Sequence, residues 1–102
     1  MSISNFNNFI IICDILENNN NAVELRLMQN NQLLFNSSCS QNSFCEKLPQ
    51  MMEDILDFIK KNYTHNQNIN IRNIEFITNF EVKKHLTTAR VFEGFITGLM
   101  IV

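Results

Sequence analysis

A chain of 102 residues that is 45% apolar is long enough for one domain around one core, and too apolar to remain disordered. Its net charge is −2, and its basic residues gather no further than the pairs Lys60-Lys61 and Lys83-Lys84, which leaves direct nucleic-acid binding without support. Cys13, Cys39 and Cys45 are odd in number and follow neither zinc nor redox spacing, so no disulfide framework is expected.

Residues 9–16, FIIICDIL, form a β-branched apolar run that ends in ENNNN, the pattern of a buried strand and a turn. Residues 22–29 alternate apolar and polar, as a strand with one wet face should. QNNQ (29–32) then turns the chain into a third strand over 32–39. Three strands joined by short polar turns predict an antiparallel meander.

SFCE (43–46) fits a capping box, with Ser43 capping the helix and Glu46 reaching back. At 100° per residue, Phe44, Leu48, Met51, Met52, Ile55, Leu56, Phe58, Ile59 and Tyr63 fall on one side of a helix over 43–62, bent near Pro49. Its acids lie early and its lysines late, as the helix dipole prefers. After the polar segment 64–72, NIEFITNF predicts a fourth strand near 73–79, parallel to a member of the meander through a crossover. A last helix follows over 86–101. The order is βββαβα, an α/β lobe with a mixed sheet ordered 3-2-1-4 and both helices on one face.

The two glycines, Gly94 and Gly98, both lie in this last helix, where each costs up to about 1 kcal/mol relative to alanine. Val91, Phe92, Phe95, Ile96, Leu99, Met100 and Val102 cover half its circumference, against a thin stripe of Arg90, Glu93 and Thr97. Such a helix expects two apolar neighbours. The glycines either let the two helices of this domain nestle together or line a contact with another chain. The expected partner surface combines Met51, Met52 and Ile55 of the first helix with Val91, Gly94, Phe95 and Gly98 of the second.

No residues promise chemistry. Cys39, Cys45, His65 and His85 stand in no local nucleophile–base motif, and no metal or cofactor site is expected. Asp14, at the end of the first strand, reads as a structural polar group. The first residues carry no positive n-region, and Arg90 and Glu93 interrupt the last apolar segment. Neither a signal peptide nor a membrane span is expected, and the chain reads as cytoplasmic.

The order βββαβα, with IICDI (11–15) opening it and CEKLPQMMEDIL (45–56) starting its first helix, resembles the N-terminal lobe of the TsaB (YeaZ) family. That family belongs to the actin/sugar-kinase-like superfamily, with a ribonuclease H-like fold. The family's GxGSFTGxRIGxxxxxGL aligns without gaps within FEVKKHLTTARVFEGFITGL (80–99), where Thr87, Arg90, Gly98 and Leu99 match, and Asp14 falls on the family's first-strand Asp. Phe80, Val82, Lys84, Thr88 and Phe92 stand where the family tends to have glycine, so a backbone cradle for phosphate is not expected. Ser43 stands where many members have His. Family members continue into a fifth strand and a second lobe, which this sequence lacks, so residues 1–102 are expected to form a single lobe. The resemblance implies a non-catalytic scaffold that pairs through its two helices with a TsaD-like protein, in installing threonylcarbamoyl on the adenosine beside the tRNA anticodon. The alternative is a structural module that forms a homodimer through the same helices and has no part in tRNA modification.

Overall fold

A computed structural model describes residues 9–63 and 73–101. Strand β1 spans Phe9–Leu16, β2 Ala22–Gln29 and β3 Gln32–Cys39; helix α1 spans Phe44–Tyr63, strand β4 Glu75–Thr78 and helix α2 Leu86–Ile101. The sheet order is β3-β2-β1-β4, antiparallel except for the parallel pair β1·β4. The βββαβα order and the mixed sheet are those expected of a half-lobe. β4 is shorter than its apolar pattern, since Ile74 is buried just ahead of it.

The meander turns without glycine. Asn30 and Asn31 carry φ of 54° and 64° between the paired Gln29 and Gln32, the two-residue loop whose twist suits a hairpin. Asn20 and Asn21, at 56° and 57°, take the same left-handed backbone at the end of the longer loop 17–21, between the paired Leu16 and Ala22. Asparagine tolerates this left-handed region because its short amide bonds locally.

β1 alternates despite its continuous apolar run. Phe9, Ile11, Cys13 and Ile15 are buried beneath the helices, while Ile10, Ile12, Asp14 and Leu16 are half-buried on the opposite face. Val23, Leu25 and Leu27 of β2 continue the buried face, and β3 adds Phe35. The pairing of β2 with β3 shifts after Leu27, leaving Leu34 as an extra residue. This bulge sends Leu33 to the open face, where it is 50% exposed beside Met28.

Both helices cover the same face. Phe44, Leu48, Met51, Met52, Ile55 and Ile59 of α1 enter the core, and the Tyr63 ring meets Phe9 edge-on at 5.2 Å. Phe92 of α2 packs on Phe76, which stands beside Ile11 in β1, with ring centroids 6.4 Å apart. α1 continues as one helix through Pro49. The capping box does not form: the Ser43 hydroxyl lies 2.7 Å from that of Ser40, and a 3₁₀ turn, Gln41–Ser43, leads into the helix. Among the described residues, no helix is long and apolar enough to cross a membrane.

Candidate partner surface

The outer side of the helix layer holds a groove of about 260 Å³ between α1 and α2. Pro49, Met52 and Leu56 form one apolar wall and Phe95 and Leu99 the other, with Glu53, Asp57 and Lys60 as a charged rim on α1. The pattern follows from helical spacing. Pro49, Glu53, Leu56 and Lys60 succeed one another every three or four residues, on the shoulder of the face that packs on the sheet.

Thr87, Val91, Gly94 and Gly98 run down one side of α2 at spacings of four, three and four. Each glycine directly precedes a groove residue, Phe95 or Leu99, and both glycines are exposed. A Cβ added at either would meet nothing within 4 Å. The nestling of this domain's own helices is therefore not their role. α1 meets α2 through side chains, and the glycines open outward.

The surface expected on α1 is corrected by the same packing. Met51, Met52 and Ile55 are 4%, 1% and 0% exposed, because the arc around them faces the sheet. Only Met52 reaches the groove, as its floor. Pro49 and Leu56 stand where Met51 and Ile55 were expected. Val91 and Phe95 are both half-buried, and of the two Phe95 lines the groove.

Asp14 is held as a structural group. It accepts hydrogen bonds from the Ile15 amide at 2.8 Å, Arg26 Nη1 at 3.0 Å and Asn79 Nδ2 at 3.3 Å. Arg26 also donates to Glu24 at 2.9 Å, and Asn36 donates to Glu24 at 2.8 Å. The chain Asn79–Asp14–Arg26–Glu24–Asn36 crosses the open face of the sheet from one edge to the other. Although its partial burial opposes the charge, hydrogen bonds to both carboxylates raise the Arg26 pKa. No sequence motif marked this ladder, because its members meet only through strand register.

The segment aligned with the family's phosphate loop engages its own amides. Lys84 donates to the Glu81 carbonyl at 3.0 Å, and His85 to the carbonyls of Val82 at 3.1 Å and Glu81 at 3.3 Å. Phe80 lies edge-on to the His85 ring at 5.9 Å. Thr87 and Arg90 are exposed, and His65 lies outside the described residues.

Cys13 and Cys39 are held as thiols by burial. Burial, with smaller contributions from Asp14 and Cys39, pushes Cys13 from 9.0 up to about 12. Burial also raises Cys39, against the opposing pull of Lys47. Cys45 is exposed on α1. Among the described residues, no three Asp, Glu, His or Cys side chains gather as metal ligands.

No family model, curated protein or solved structure matches this chain.

Proposed function

We propose that this chain is a non-catalytic, TsaB-like scaffold lobe that pairs through α1 and α2 with a TsaD-type protein in the threonylcarbamoyl modification of tRNA. One observation carries the reading. An apolar groove between the helices is flanked by two glycines whose outer side is open, so a partner helix can approach the α2 backbone closely. Support comes also from the sheet order β3-β2-β1-β4 and from both helices lying on one face. The resemblance of residues 80–99 to the family's motif supplies the partner's identity.

The test is co-purification and calorimetric titration with the TsaD-type protein of the same source, for the native chain and for Gly98→Leu. Binding by the native chain, at least ten-fold weaker in a folded Gly98→Leu, supports the reading. A native chain that ignores the TsaD-type protein overturns it. If that chain still self-associates through these helices, the structural-module alternative takes its place.

A further inference from the structure

The two edges of the sheet are built differently. At the β3 edge, the bulge at Leu34 interrupts the ladder, and Asn36, Ser37 and Ser38 make the strand polar. The β4 edge reads Glu75-Phe76-Ile77-Thr78; it is short and opens on a carboxylate, but it has no proline, lysine or bulge to turn another strand away.

The register shows which groups that edge offers. The Asn79 amide donates to the Cys13 carbonyl at 2.8 Å, so the odd-numbered residues of this strand turn their main chain toward β1. By alternation, the N–H and C=O of Phe76 and Thr78 point outward, and among the described residues no strand meets them. The side chains of the same two residues line a groove of about 340 Å³ beneath α2, with Phe92 and Ile96 as its apolar lining and Glu93 and Thr97 as its polar one.

We propose that β4 pairs antiparallel with β4 of a second copy, with Phe76 opposite Thr78, joining the two sheets into one across a two-fold axis. The edge is self-complementary about Ile77. Each Phe76 exchanges both main-chain hydrogen bonds with Thr78 of the second copy, and Ile77 meets its own counterpart on the open face. There it extends the apolar cluster of Ile10, Ile12 and Met28. Glu75 lands opposite Asn79 of the second copy, so the register places an amide, not a second carboxylate, across from it. The grooves beneath the two α2 helices then adjoin across the axis, each with Phe92 and Ile96 beside Glu93 and Thr97. This contact uses a surface separate from the α1–α2 groove.

The experiment uses the full chain. Light scattering on a size-exclusion column should give twice the monomer mass at high micromolar concentration. Thr78→Pro deletes an outward N–H and leaves the bonds to β1 in place, so it should give a monomer with unchanged circular dichroism. In a Cys45→Ser background, Ile77→Cys should form a disulfide dimer on mild oxidation. Directly opposed residues of this kind stand about 4.5 Å apart between Cα atoms, within disulfide reach. Gly98→Leu should leave this dimer intact. A native chain that stays monomeric overturns the proposal. So does a dimer that a folded Thr78→Pro leaves unchanged, or one in which Ile77→Cys does not cross-link. If Thr78→Pro fails to fold, the cross-link decides.

Discussion

Thr88 Oγ donates a hydrogen bond to Gln41 Oε1 at 3.1 Å, tying the first turn of α2 to the 3₁₀ turn that enters α1, 47 residues away in sequence. Thr88 is 4% exposed, so its hydroxyl has no access to water as a substitute. Thr88→Val keeps the shape and deletes the donor. The expected loss is about 1 kcal/mol, the usual net worth of such a bond, read as a lower urea midpoint at unchanged slope. An unchanged midpoint would show the bond to be dispensable.

Asn30 and Asn31 hold the left-handed positions of the β2–β3 hairpin. Asn31→Gly completes the Asn-Gly pair that such turns prefer and should raise the melting temperature. Asn31→Val places a β-branched side chain at φ 64° and should cost about 1–2 kcal/mol. In a domain of this size, that is a fall of roughly 4–8 °C per kcal/mol. Equal melting temperatures for the two variants would contradict the turn assignment.

Gly94 and Gly98 are open on their outer side, so alanine fits at both. Gly94→Ala and Gly98→Ala should each stabilise the isolated chain by about 0.5–1 kcal/mol in denaturant titration, through the lost backbone entropy of glycine. Destabilisation by either would mean that the helices of this domain do pack on the glycines.

Cys13 stays protonated in the folded chain up to about pH 12, while in the unfolded chain it ionises near 9. The raised value means that burial of the thiol adds stability that is fully present below pH 9 and lost as pH climbs toward 12. Cys13→Ala should flatten the fall of stability across that window. At pH 8, iodoacetamide should modify Cys45 first, and Cys13 only after denaturant is added, as mass spectrometry can count. Rapid labelling of Cys13 in the folded chain would refute its burial.

ATP is expected to bind no more tightly than about millimolar. The amides of Lys84 and His85, which would have to face a phosphate, already donate to Glu81 and Val82. Isothermal calorimetry with ATP and magnesium checks this, and a micromolar affinity would refute it.

Local chemistry determined much of this protein. The period-two pattern of 22–29, the apolar arc of 44–63 and the paired asparagines mark strands, helix and turns without help from elsewhere, since each depends on neighbours a few residues apart. The bounds Phe9–Leu16, Ala22–Gln29 and Leu86–Ile101 follow from these signals. What lies across the fold did not follow. The apolar arc of α1 covers half its circumference, and only the position of the sheet decides that Met51 and Ile55 face inward while Pro49 and Leu56 reach the groove. The Ser43 hydroxyl turned to Ser40 once the chain entered α1 by a 3₁₀ turn, a competition that the SFCE spacing does not reveal. Leu33 and Leu34 look alike in sequence, yet a bulge separates their faces. The glycine pair announced that α2 has an unusual side. Which way that side points was decided by the packing of Phe92, Phe95 and Leu99 against the rest of the molecule, because a helix rotates to bury its largest apolar area and leaves its smallest residues outside.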